Sequence, residues 1–275
     1  MANRKTSSQA SAVVTGAGSG IGRAFAVELA ARGGRVVCAD INLATAQDTV
    51  DLIDAAGGKA LAVRCDVSLL ADVEALAVVA EDWLQGQVDL VINNAGVGAG
   101  GQLIGETPIA DWQWTLSINL WGIVHGCHVF APKLRALGHG GIINVCSTAS
   151  FAAAPKMGPY NVSKAAALAL SETLAAEMAG TGVAVTALCP TWVKTNIASS
   201  GRISASSSRL AEKLMARFGV APERVAKTTL DALDRSRLYV LPQLDARMVW
   251  RSKRLAPALY ASGAGLINRL AGDRI

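Results

Sequence analysis

A chain of 275 residues, 51% apolar and 17% charged, can bury a large core and is not a disordered segment. Its net charge of +5 is concentrated: residues 235–275 carry eight Lys/Arg against two Asp, the remainder sits near −1, and a uniform nucleic-acid footprint is excluded. No apolar run is long enough to span a bilayer, and the five cysteines and three histidines show no metal-ligand spacing.

The first ten residues are polar and do not read as a secretory signal. From residue 11 to residue 190, short apolar runs alternate with helical stretches. The runs are 12–15, 35–39, 60–65, 88–92, 141–146 and 183–188, with a further one at 238–241. They are rich in Val, Ile, Ala and Leu and show little strict alternation, as strands buried on both faces do. Segments 23–32, 69–84 and 161–179 have helical spacing. Strand and helix alternating in this way predict a parallel sheet covered on both faces. Two regions break the rhythm. Residues 199–208 hold six serines and one glycine and read as a mobile loop. Residues 243–275 interleave Trp250, Leu255, Leu259 and Leu266 with Arg and Lys, as a basic, apolar helical extension would. Cys38, Cys65, Cys127, Cys146 and Cys189 mostly sit in apolar runs, so we expect buried, reduced thiols in a cytoplasmic, metal-free protein.

The first run leads into Thr15-Gly16-Ala17-Gly18-Ser19-Gly20-Ile21-Gly22 and then a helix. Strand, glycine turn and helix in that order form a dinucleotide-binding fingerprint. Gly16 allows a tight turn, Gly20 lets backbone approach a pyrophosphate, and Gly22 lets the helix pack close to the sheet. The helix N-terminus offers free N–H groups to phosphates. The candidate cradle is Gly16, Ser19, Gly20, Ile21 and Gly22. Asp40 closes the second run, where a carboxylate accepts hydrogen bonds from an adenosine ribose and repels a 2′-phosphate. Alternatively, it caps the helix beginning near Asn42. Ile41, Asn42 and Ser19 supply no cation for such a phosphate, which favours NAD over NADP.

Tyr160 and Lys164 open a later helix one turn apart, on one face. An ammonium near a phenol favours the phenolate and lowers its pKa from the ordinary value of about 10. A phenol so tuned takes a proton from an alcohol while hydride leaves the carbon.

With these motifs in order, the chain resembles the short-chain dehydrogenases/reductases, in their compact single-domain branch, over about residues 10 to 240. Asp66 and Val67 resemble the pair that contacts adenine. Asn93-Asn94-Ala95-Gly96 resembles the family segment that steadies the sheet and lines the cofactor site. Asn119 resembles the asparagine of the catalytic tetrad, and Ser147, thirteen residues before Tyr160, its serine. Pro190, Val193 and Thr195 resemble the segment that grips the nicotinamide carboxamide. The resemblance implies a doubly wound Rossmann-like domain with a seven-stranded parallel sheet over residues 1–242. It implies that Tyr160 is the acid/base and that Ser147 orients the substrate oxygen. Lys164 then holds the nicotinamide ribose, Asn119 holds a relay water, and Thr195 orients the carboxamide. It also places a substrate lid near 196–218 and implies a homodimer or homotetramer.

One departure stands out: the family commonly carries Pro-Gly where this chain has Pro190-Thr191, followed by Trp192. Ser147, Tyr160 and Trp192 are the candidate substrate contacts, and Ile197, Ile203 and Leu210 suggest a hydrophobic alcohol or ketone. The expected function is hydride transfer between NAD and a secondary alcohol or ketone. The alternative is a non-catalytic NAD-binding regulator on the same fold. The extension at 243–275 either packs on the domain or a partner subunit, or touches anionic membranes through Arg251, Lys253 and Arg254 beside Trp250 and Leu255.

Overall fold

The computed structural model describes residues 5–199 and 201–272; the first four residues of the N-terminal segment, Ser200 of the serine run and the last three residues of the extension lie outside it. The elements follow in the order β1 (Ser11–Thr15), α1 (Gly20–Ala31), β2 (Arg35–Asp40), α2 (Leu43–Ala55), β3 (Lys59–Arg64), α3 (Leu70–Trp83), β4 (Leu90–Asn93), β5 (Ala99–Gly100) and α4 (Ile109–Leu116). A π-helical turn (Ser117–Trp121) leads into α5 (Gly122–Leu137), β6 (Gly140–Val145), α6 (Ala149–Ala152), α7 (Gly158–Glu177) and β7 (Val183–Leu188). The chain continues through β8 (Arg202–Ile203), α8 (Ala205–Phe218), α9 (Pro222–Leu233), β9 (Tyr239–Val240), α10 (Leu244–Leu255) and α11 (Pro257–Gly272).

Seven strands form one sheet in the order β3-β2-β1-β4-β6-β7-β9, and every pairing is parallel. The continuous apolar runs are explained by this arrangement, because successive residues of a strand feed opposite faces. Val13, Val37, Val91 and Ile142 pack with Leu76 of α3, Phe130 of α5 and Leu174 of α7. Their chain neighbours Val14, Val36, Ile92 and Ile143 pack on the other side with Phe25 of α1, Ile53 of α2 and Leu230 of α9. The strand order reverses between β1 and β4, and ligands of open α/β sheets bind in the crevice at such a switch point.

The first core layer contains a polar seam. Asn93 Nδ2 donates to Asn144 Oδ1 at 2.8 Å, and Asn144 Nδ2 donates to Ser171 Oγ at 3.0 Å. Asn93 was expected to line the cofactor site. Its side chain instead turns into the core, where only a glycine, Gly126, fits beside it.

The serine run departs from its expected form. Residues 205–208 begin α8, with Ser204 at the cap accepting a hydrogen bond from Ser207 N at 3.4 Å. Ser208 Oγ donates to Ala198 O at 3.0 Å. Serine is a good N-cap as well as a loop former, so composition alone misread a helix start. Just before it, β8 pairs with β5 in a two-stranded parallel sheet.

A Cβ at Gly126 would stand 2.0 Å from Asn93 Oδ1, which the seam holds in place. Gly126→Ala is expected to lower unfolding free energy by about 1–3 kcal/mol without changing the fold. Urea denaturation compared with the parent chain checks it.

Candidate active site

The site forms along the C-terminal ends of the parallel strands. Gly16 (φ +64°) and Gly20 (φ +54°) both adopt left-handed backbone, which gives the turn after β1 its shape. The turn is pressed against the segment after β4: a Cβ at Gly16 would lie 2.8 Å from Ala95 Cα. Gly22 closes the first turn of α1, where a Cβ would stand 2.1 Å from Gly16 O. Ser19 is the cap residue of α1 but makes no side-chain cap, so its hydroxyl leaves the first N–H groups to a ligand. Ile21 packs partly against the second core layer.

Asn94 holds this cradle together. Its Nδ2 donates to Thr15 O at 2.8 Å and Gly16 O at 3.1 Å, while Thr15 Oγ1 accepts from Asn94 N at 3.0 Å and Ala95 N at 3.1 Å. Asn94, not its neighbour Asn93, is therefore the asparagine at the glycine turn. In a strand, adjacent side chains point to opposite faces, so the signal was the parity of the two positions.

Asp40 Oδ2 accepts from Gly18 N at 2.9 Å and Oδ1 from Asn42 N at 3.0 Å. The helix cap is Asn42 itself, which accepts from Ala44 N at 3.1 Å, so the capping alternative for Asp40 does not hold. The carboxylate stands at the mouth of the glycine turn. Arg23, the nearby cation, is committed to Gly18 O and to Thr49 Oγ1. Asp66 follows the end of β3 beside it, but Oδ1 is taken by Ser68 N at 3.0 Å and Ser68 Oγ at 2.7 Å. Val67 is buried against Gly122. Both lie at the expected edge, Asp66 engaged by the local turn and Val67 packed on Gly122 of α5.

Lys164 is 3% exposed, and its Nζ donates to Val145 O at the end of β6 at 2.8 Å. Its Nζ stands 5.9 Å from the Tyr160 ring centroid. Burial lowers the lysine pKa, with the Cys146 thiol opposing. Desolvation also raises the Tyr160 phenol above its ordinary value, with the neighbouring Ser147 hydroxyl opposing the shift. The expectation that the Lys164 ammonium lowers the phenol is not met in the free chain: the ammonium is spent on Val145 O, and desolvation of the phenol prevails. Ser147 is itself oriented by Ala149 N, which donates to its Oγ at 3.1 Å. Ser150, unnoticed in the sequence, bridges the two segments: its Oγ donates to Lys164 O at 2.7 Å and accepts from Ser147 N at 3.3 Å.

Asn119 occupies the π-helical turn, a device common at functional sites and invisible to a 3.6-residue period. Its side chain is committed: Oδ1 accepts from Val97 N at 2.8 Å, and Nδ2 donates to Val97 O at 2.9 Å. Gly96 sits between Asn119 and Lys164, where a Cβ would lie 3.1 Å from Asn119 Oδ1 and 3.5 Å from Lys164 Nζ.

The segment after β7 forms the last wall. Pro190 O accepts from Thr148 N at 2.9 Å, next to Ser147. Trp192 is half-buried, and its carbonyl accepts from Val220 N at 3.0 Å and Gln243 Nε2 at 2.9 Å. Val193 is buried in the second core layer, so it faces the cleft through backbone alone. The Thr195 methyl lies against Gly20, 3.0 Å from where a Cβ would be.

A left-handed glycine turn at a topological switch point, with a carboxylate at its mouth and a lysine–tyrosine–serine set across the crevice, marks a Rossmann-like fold. The family model described as short chain dehydrogenase matches residues 10–204, and the chain belongs to the short-chain dehydrogenase/reductase family. The probable oxidoreductase EphD of Mycobacterium tuberculosis is 36% identical over 266 residues, 92% of this chain; the chain spans only 44% of that relative's length. A 1-deoxy-11-beta-hydroxypentalenate dehydrogenase of Streptomyces exfoliatus is 34% identical, with 90% of each chain covered. A short-chain dehydrogenase/reductase of Burkholderia phymatum, solved in complex with NAD, is 35% identical with a TM-score of 0.87, covering 94% of this chain and 96% of that one.

Gly22→Ala drives a methyl into the Gly16 carbonyl, so the turn must shift. NADH affinity is expected to fall about ten- to a hundredfold, corresponding to about 1–3 kcal/mol of overpacking. A fluorescence titration with NADH measures it.

Proposed function

We propose that the protein is an oxidoreductase that moves a hydride between NAD and a secondary alcohol or ketone with a hydrophobic body. The observation that carries this reading is the Lys164 ammonium, fixed by Val145 O at 2.8 Å and standing 5.9 Å from the ring centroid of the half-buried Tyr160, at the strand end that Ser147 follows. The glycine turn, Asp40, Gly96 and Thr195 would hold the cofactor, which when bound supplies the hydride acceptor or donor. Lys164 sits within reach of a nicotinamide ribose placed over Gly96. Ser147 orients the substrate oxygen, and Tyr160 takes its proton during oxidation or returns it during reduction. Asn119 is a positioning residue: by clamping Val97 it sets the Gly96 wall against Lys164.

Preference for NAD rests on Asp40, whose carboxylate is fixed by Gly18 N while the nearby Arg23 is engaged by Gly18 O and Thr49 Oγ1. The half-buried Trp192 and the partly buried Ile197 and Ile203 support a hydrophobic substrate. We take the segment 196–218, with β8 and α8, as the substrate lid. Free, buried cysteines support a cytoplasmic setting. Exposed Val78, Trp121 and Val162 support a homodimer or homotetramer.

Oxidation needs the phenolate, the deprotonated form, and burial raises the phenol's pKa. kcat/KM for alcohol oxidation is therefore expected to climb by up to about tenfold per pH unit from about pH 7 to 9, since the base is scarce at neutrality. Tyr160→Phe should lower it about 10²–10⁴-fold and remove this slope. NADH absorbance with a panel of secondary alcohols reads both; an unchanged rate in Tyr160→Phe defeats the proposal. Asp40→Asn removes the charge that repels a 2′-phosphate. It should raise the kcat/KM ratio of NADP to NAD about tenfold or more in the same assay.

A further inference from the structure

The C-terminal extension goes beyond the dehydrogenase reading. On α10, Ala246 is buried, and Val249, Trp250 and Lys253 are half-buried against the domain. They occupy one side of the helix. The opposite side, by the same 3.6-residue geometry, presents Leu244, Met248, Arg251 and Leu255 in a single stripe, with Arg247 and Arg254 along its border. The apolar members are not tucked away: Leu244 is 70% exposed, Met248 60% and Leu255 86%. Leu259 and Leu266 of α11, seven residues apart, are also exposed. Apolar side chains with most of their surface in water, in a row along one helix, need a covering partner.

Charge selects the partner. Residues 243–272 contain five Lys/Arg and a single acid, Asp245. That acid is spent locally, accepting from Thr191 Oγ1 at 3.2 Å and Ala246 N at 2.8 Å. A second copy of the same face would set arginine against arginine. An anionic phospholipid surface meets both demands, taking Leu and Met into the headgroup–acyl boundary and arginines onto phosphates. Among the described residues no helix is long and apolar enough to cross a membrane, so the contact is peripheral.

We propose that α10 and α11 form an anionic-membrane docking surface. The extension is firmly joined to the site. Gln243 holds Thr191 N at 3.2 Å and Trp192 O at 2.9 Å, and Tyr260 Oη donates to Ala152 O at 2.9 Å, in the helix that follows Ser147. Both segments bordering the site are thus tied to the face that meets lipid.

The full chain is tested by co-sedimentation with vesicles of phosphatidylcholine alone and of phosphatidylcholine with phosphatidylserine. Pelleting is expected only with the anionic vesicles, and loss of it in high salt, because screening shortens the reach of the arginines. Met248→Asp with Leu255→Asp, and separately Arg251→Glu, should each release the protein while NADH binding and the melting temperature stay at parent values. No pelleting of the parent chain, or pelleting that survives both variants, overturns the proposal. So does a sedimentation-velocity result in which the double aspartate variant breaks a dimer, since the face then belongs to a second copy. If the double variant fails to fold, Arg251→Glu alone decides.

Discussion

The hydrogen bond from Lys164 Nζ to Val145 O organises the site. A buried ammonium is costly unless it is partnered, and the Val145 carbonyl at the end of a parallel strand is that partner. Once that bond is made, α7 is tethered to the end of β6. Tyr160, one turn earlier on the same face, is then brought to Ser147, two residues beyond Val145. Ser150 closes the same joint from the other side by donating to Lys164 O. Gly96 borders it, where a Cβ would press on Asn119 Oδ1 at 3.1 Å and touch the lysine head at 3.5 Å.

The second constraint is backbone shape around β1. A turn with two left-handed glycines is stable here because Asn94 satisfies its carbonyls and Gly18 N finds Asp40. The glycine turn and Lys164 therefore share a wall, Asn94–Gly96, reached from opposite sides.

Much of this was legible in the sequence because the signals were covalent or periodic. Strands buried on two faces leave continuous apolar runs, and all seven runs became strands of one sheet. The spacing of Tyr160 and Lys164 follows from one helical turn, and the glycines are needed where φ is positive. What stayed hidden depends on the third dimension. The sequence could not show that Asn93 faces the core while Asn94 faces the turn, since the choice rests on where the strand begins. It gave no hint of the π-helical turn carrying Asn119, nor that Asp66 would be taken by Ser68. The serines at 204–208 read as loop because capping and disorder draw on the same residue type. The burial that raises the Tyr160 phenol, against a simple lysine–tyrosine argument, comes from packing that no pairwise spacing reveals.

The central claim is that the half-buried Tyr160 phenol, set between Ser147 and a fixed ammonium, is the group that titrates in the reaction. The chain has three tyrosines, so the ultraviolet phenolate absorbance of the parent minus that of Tyr160→Phe isolates this one group. The titration should place Tyr160 above the ordinary value of about 10 in the free protein and bring it down when NAD is added, as a positive ring nearby favours the phenolate. A Tyr160 that titrates at the ordinary value and does not respond to NAD would contradict the account.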